Sequence, residues 1–68
     1  MRYYIRVNDH RNRQILYRWR RGMEGWDANR DNCDTFDLRD AKKVIAKLQA
    51  RDTAWERDWL EYVLVEAV

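Results

Sequence analysis

One segment constrains the fold more than any other part of this 68-residue chain: residues 36–51, FDLRDAKKVIAKLQAR. Its apolar residues recur with the spacing of one face of an α-helix. They are Leu38, Ala41, Val44, Ile45 and Leu48. Asp37 is a favourable N-cap residue, which predicts a helix of about 14 residues beginning beside it. A helix with a single apolar stripe needs a flat apolar surface to pack against.

Two segments before this helix alternate between apolar and polar residues, as strands do. Residues 2–7 and 14–20 are joined by the polar run 8–13, which is typical of a hairpin turn. We expect the helix to cover one face of this hairpin. The predicted buried residues are Tyr3, Ile5, Ile15, Tyr17, Val44, Ile45 and Leu48.

The C-terminal segment allows two interpretations. Thr53 and Glu56 fit a capping box, and Trp55, Trp59 and Val63 have helical spacing. Residues 60–66 are instead rich in strand-forming residues, and a hairpin needs a third strand to be stable. We favour a short helical turn at 53–58 followed by a strand.

These elements predict a single α+β domain over residues 1–68 with the order ββαβ. The simplest topology is a three-stranded antiparallel sheet in the order 2-1-3, with one helix packed on one face.

The net charge of +2 conceals a strong separation of charges along the chain. Residues 1–21 carry seven Arg and one acid, whereas residues 22–40 carry six acids and two Arg. Either the two segments neutralise each other within the fold, or the protein binds a charged partner.

The aperiodic loop at 22–37 is long for a small domain, and such loops are often functional. We predict a partner-binding site there, with a tryptophan anchor that could instead be a core residue. Its residues are Trp26, Asp27, Asp31 and Asp34. The acids also match the opening of a calcium loop, but the required Gly and final Glu are missing.

The uncovered face of the sheet is predicted to be basic. Interleaved Arg and aromatic residues on a sheet can bind nucleic acid, although a plain solvated face has the same composition. The residues of this predicted basic face are Arg2, Tyr4, Arg6, Arg18 and Arg20.

Residues for catalysis or metal binding are scarce. The chain has one cysteine, Cys33, one histidine, His10, and no serine, which indicates no enzyme, no metal site, no cofactor and no internal disulfide. No signal peptide or membrane span is evident, so we expect a cytoplasmic protein.

The succession YYIRV, YRWR, TFDLRDAKKVIAKL and LEYVLVE resembles a broad group of small phage and prophage accessory proteins, with Phe36–Ala41 as the recurring helix start. That group includes anti-CRISPR inhibitors. The resemblance implies a non-enzymatic protein, acting in a host bacterium, that docks on host machinery. The expected partner is a host protein that handles nucleic acid, with direct nucleic-acid binding as the alternative. We expect a monomer or weak homodimer.

Overall fold

The computed structural model describes residues 1–18 and 25–67. An antiparallel sheet with the order β3-β2-β1-β4 carries a helix on one side, so the α+β class is confirmed. The elements are β1 (Tyr3–Asp9), β2 (Gln14–Arg18), β3 (Trp26–Asp27), a 3-10 turn (Arg30–Asn32), α1 (Leu38–Arg51), α2 (Ala54–Arg57) and β4 (Leu60–Glu66).

The predicted number of strands is wrong. The sheet has four strands because the two-residue β3, inside the predicted loop, pairs with the outer edge of β2. The three longer strands, β2, β1 and β4, follow the predicted order. The end of the predicted second strand, residues 19–20, lies outside the described residues.

The helix α1 forms where its pattern predicts. The Asp37 carboxylate accepts a hydrogen bond of 2.8 Å from the backbone N–H of Asp40, which satisfies one of the free donors at the helix start. The apolar stripe of α1 faces the sheet. Fully buried Ala41 packs there with Ile5 and Phe36, and the surrounding partly buried residues are Trp26, Val44, Ile45 and Leu64.

The C-terminal segment is a short helix and then a strand, as predicted. Thr53 and Glu56 form a reciprocal capping box that opens α2. After α2 the chain enters β4, which pairs with β1 from Leu60 opposite Asp9 to Glu66 opposite Tyr3. The alternative of one longer helix through this region is wrong.

The turn between β1 and β2 is built on the buried side chain of Asp9. Its Oδ1 accepts hydrogen bonds from the backbone N–H groups of Arg11 (3.1 Å) and Asn12 (3.0 Å), and its Oδ2 accepts one from Asn12 Nδ2 (2.8 Å). Arg13 closes the turn with a φ of 54°, in the left-handed region. The turn spans residues 10–13, because Asp9 pairs directly with Gln14.

This turn length decides which residues share a face of the sheet. With an even number of turn residues, odd-numbered residues of β1 pair with even-numbered residues of β2. Val7 is therefore opposite Leu16 on the helix side, whereas Ile15 is opposite Asn8 on the other side. The prediction that Ile15 and Tyr17 join the core is wrong; Ile15 is 53% exposed.

Two isoleucine substitutions test this register. Replacing fully buried Ile5 with alanine should lower the free energy of unfolding by about 2–5 kcal/mol, because it leaves a cavity under α1. The same change at Ile15 should cost about 1 kcal/mol or less, because that side chain is half-exposed. Urea unfolding followed by circular dichroism measures both values. Equal losses would contradict the register.

Acid titration tests the Asp9 turn. Hydrogen bonds from the Asn12 side chain and backbone hold the pKa of Asp9 below its ordinary value of 3.8. Since folding lowers this pKa, the ionised carboxylate stabilises the folded state. This contribution is complete when the pH is above the pKa of Asp9 in the unfolded chain, and it is lost as the pH falls through the pKa of Asp9 in the folded protein. Asp9→Asn removes the charge but keeps an acceptor. The variant should melt at a lower temperature than the parent at neutral pH, and the difference should shrink in acid. Melting curves that stay parallel at every pH would contradict this.

Candidate binding surface

The side of the sheet opposite α1 forms a partly exposed surface, here called the open face. The strand register places its residues: Arg6 is aligned with Tyr17 on β2 and with Val63 on β4, and Tyr4 is aligned with Val65. Four of these side chains are aromatic or aliphatic and partly exposed. The open face consists of Tyr4, Arg6, Ile15, Tyr17, Val63 and Val65.

Two tyrosines make a corner at one end of the open face. The rings of Tyr4 and Tyr17 meet edge to face, with centroids 6.2 Å apart and planes at 74°. The guanidinium of Arg30 lies over the Tyr4 ring, 5.9 Å from its centroid, within cation–π range. A positive charge from the predicted loop therefore contacts an aromatic residue of β1.

Two further contacts hold the segment 29–35 against the end of the sheet where Tyr4 and Tyr17 lie. The Cys33 thiol lies 3.5 Å from the Tyr17 carbonyl oxygen, to which it donates. The Arg2 guanidinium donates from Nε to Thr35 Oγ1 (3.1 Å) and from Nη2 to the Thr35 carbonyl. The sequence predicted two separate candidate sites, the loop and the sheet face. The structure brings the segment 29–35 of the loop against the open face, whereas Trp26 of the same loop lies on the helix side.

The three predicted acids of this loop have different surroundings. Asp27 shapes the turn: its Oδ1 accepts from the backbone N–H of Asn29 (2.8 Å) and its Oδ2 from Asn32 Nδ2 (3.2 Å). Asp31 and Asp34 are exposed. Within residues 1–18 and 25–67, no three or more His, Cys, Asp or Glu side chains are grouped to hold a metal ion.

Trp26 lies on the helix side of the sheet, away from the open face. Its ring stacks on Tyr62, with centroids 6.2 Å apart, and packs against the core. The Arg18 guanidinium lies 5.3 Å from the centroid of the Trp26 ring. The structure thus gives Trp26 a packing role, and its role as a partner anchor stays a prediction.

The predicted basic face is corrected by the same register. Arg18 pairs with Trp26 and so lies on the helix side, opposite to Arg6. Arg20 lies outside the described residues, which leaves Arg2, Tyr4 and Arg6 together. The Nε of Arg6 is buried and has no hydrogen-bond partner in the described part of the chain. The open face is therefore more apolar than the sequence predicted.

A charged cluster borders the open face near the hairpin turn. Glu61 Oε1 accepts a hydrogen bond of 2.9 Å from Asn8 Nδ2 and lies 3.4 Å from His10 Nε2. The hydrogen bond from Asn8, and then the one from His10, hold the pKa of Glu61 below its usual range. This border therefore keeps a negative charge at neutral pH.

A second aromatic group lies where the hairpin turn meets α2. The Arg11 guanidinium is 5.6 Å from the Trp55 ring centroid and 5.5 Å from that of Trp59. Trp55 is 65% exposed. The helical spacing of Trp55 and Trp59 does not identify their partner, a turn arginine, because the contact joins distant parts of the chain.

The groups with perturbed acidity are tied into the fold. Partial burial, and then the charge of Asp27, raises the pKa of the Cys33 thiol, which disfavours the nucleophilic thiolate. Burial also raises the pKa of Tyr62, whose hydroxyl donates to Asp52 Oδ2 at 2.6 Å. Tyr62 and Asp52 line an open cleft of about 360 Å³ together with Gln49, Arg57 and Leu60.

Comparison of the chain with protein-family models, curated proteins and solved structures gives no match. Among the helices of the described residues, none has the length and apolar composition needed to cross a membrane.

Proposed function

We propose that this chain is a small non-enzymatic binding protein that docks on another protein through the open face and the adjoining segment 29–35, and thereby modulates it. The observation that carries this proposal is the composition of the open face: two tyrosines, three aliphatic side chains and one arginine, bordered by charged residues.

This composition is that of a protein interface. Such interfaces have an apolar centre enriched in Tyr and Arg and a polar border. Here Tyr17 and Val63 flank Arg6 across the strands, and Ile15 lies on the same face towards the charged border.

The acids of the joined loop favour a basic partner. Asp31 and Asp34 are exposed in the segment 29–35, whose Arg30 lies over the Tyr4 ring, and carboxylates at such a border mainly speed and orient docking on Lys- and Arg-rich surfaces. A surface of that kind is typical of proteins that handle nucleic acid. With the resemblance of residues 36–41 to phage accessory proteins, this supports a host nucleic-acid-handling or defence protein in the bacterial cytoplasm as the target, in the manner of anti-CRISPR inhibitors.

One observation favours a second candidate function. Tyr4 and Tyr17 lie among Arg2, Arg6 and Arg30, and aromatic and Arg side chains on a sheet can stack bases and contact phosphates. Direct nucleic-acid binding is therefore the alternative.

An affinity capture from bacterial lysate, with and without nuclease, separates the two functions. We expect this chain to capture a protein that stays bound after nuclease treatment. Ile15→Glu should weaken its binding about tenfold or more, because a charge replaces an exposed apolar side chain of the open face. Ala46→Glu, on the exposed side of α1, is the matched control and should bind like the parent. If Ile15→Glu stays folded and binds with the parent's affinity, the open face is not the site.

The border acids have a separate kinetic test on the captured partner. Changing Asp31 and Asp34 to Asn should slow association and flatten its salt dependence, with little change in dissociation. Stopped-flow or surface plasmon resonance at several salt concentrations measures both rates. Association that is unchanged at low salt would exclude these acids from docking.

Gel shifts at low salt test the alternative directly. If the protein binds another protein, we expect it to cause no shift of single- or double-stranded DNA or RNA. A shift that weakens steeply with salt and is lost in Arg30→Glu would assign the open face to nucleic acid instead.

A further inference from the structure

The outer edge of β4 is a seven-residue strand edge with no neighbour among the described strands. β4 is the last strand of the sheet, and it pairs with β1 on its inner side only. An unpaired edge presents a row of backbone N–H and C=O groups that can pair with another chain.

The backbone hydrogen bonds at the two ends of the β1–β4 pair show which groups of β4 point outward. Ala67 N donates to the Arg2 carbonyl (2.8 Å), and His10 N donates to that of Trp59 (2.9 Å). Because hydrogen-bonded and non-hydrogen-bonded pairs alternate along an antiparallel ladder, the odd-numbered residues of β4 bond to β1. The N–H and C=O groups of the even-numbered residues therefore point to the free edge. These residues are Leu60, Tyr62, Leu64 and Glu66.

Little on β4 discourages pairing along this edge. Natural edge strands are protected by Pro, Lys, bulges or short length. β4 has no Pro and no Lys, and its pairing with β1 is continuous over seven residues. Of its two charged side chains, Glu61 is turned to Asn8 and His10 on the open face, and only Glu66 stands at the strand end.

We propose that the occupant of this edge is a second copy of the chain, with the two β4 strands antiparallel about a two-fold axis at Val63. In this register Tyr62 pairs with Leu64 of the second copy, and Leu60 with its Glu66. Each such pair occurs twice and exchanges two hydrogen bonds, about eight in all. The sheet becomes continuous across the two copies.

The strand is self-complementary in this register. All seven residues of β4 pair with residues of the second β4 strand. Each Glu61 is opposite a Val65 and each Glu66 is opposite a Leu60, so no carboxylate is opposite another carboxylate. Tyr62 and Leu64 form an aromatic–aliphatic cross-strand pair on the helix side, and the two Val63 side chains meet on the open face. A chain of this size gains from such pairing, because small domains bury too little surface to be very stable alone.

Hydrogen exchange of the unmodified protein tests this proposal without any substitution. The amides of Leu60, Tyr62, Leu64 and Glu66 should become more protected as protein concentration rises. Those of Glu61, Val63 and Val65 should be protected at every concentration, because they bond to β1. Sedimentation over the same range should show the dimer. A monomer at every concentration, with no protection of the even-numbered amides, overturns the proposal.

A matched pair of variants adds an independent test. Glu66→Pro removes an outward N–H without removing a bond to β1, whereas Glu66→Ala removes only the side chain. The proline variant should weaken the dimer roughly tenfold or more, because one hydrogen bond per copy is lost, and the alanine variant should not. Equal dimer affinities in two folded variants overturn the proposal. Protection of the even-numbered amides only when a captured partner is added would assign the edge to that partner and also overturn self-pairing.

Discussion

The hydrogen bonds that the Asp9 carboxylate accepts in the hairpin turn fix the pairing on which the rest of this structure depends. They hold residues 10–13 as a four-residue turn and set Asp9 opposite Gln14. Because side chains alternate along a strand, one residue more or fewer in this turn would move every β2 side chain to the other face. A polar cluster at one end of the sheet therefore decides the composition of both faces.

The consequences extend to the opposite end of β1. There Phe36 lies beside Tyr3, with which it exchanges two backbone hydrogen bonds of 2.8 Å. This contact brings the Phe36 ring into the core with Ile5. It also fixes the position of the backbone directly before Asp37, the N-cap of α1. It also ties the segment 29–35 to the edge of the sheet, which is how an acidic loop comes to border the open face. Fold and candidate site are thus consequences of the same pairings of β1.

The sequence predicted the elements whose signals are local. The stripe and cap of α1, the capping box at Thr53 and the alternation in β4 each depend on residues a few positions apart. It did not predict which side of β2 is buried: the predicted turn 8–13 and the observed turn 10–13 both have an even number of residues, but the larger apolar set, Ile15 and Tyr17, was assigned to the core in place of Leu16. The two-residue β3 is too short for a periodic signal. The contacts of Arg30 with Tyr4 and of Arg18 with Trp26 join residues distant along the chain. The loop acids of the candidate site could be chosen from sequence, but its apolar centre could not.

The two proposed surfaces reinforce each other. Strands that pair antiparallel within one sheet are related by a two-fold axis perpendicular to it, so a dimer formed through β4 would present both open faces on the same side and both α1 helices on the other. The two Val63 side chains would lie at the centre of the combined face, and each Tyr4–Tyr17 corner towards an outer end. A partner that engages one copy would then meet the second at high effective concentration, which increases overall affinity without any new contact. This matters for a face with so few residues, because one small apolar centre supports only modest affinity, whereas two held rigidly in one sheet can bind a long surface with repeated charges.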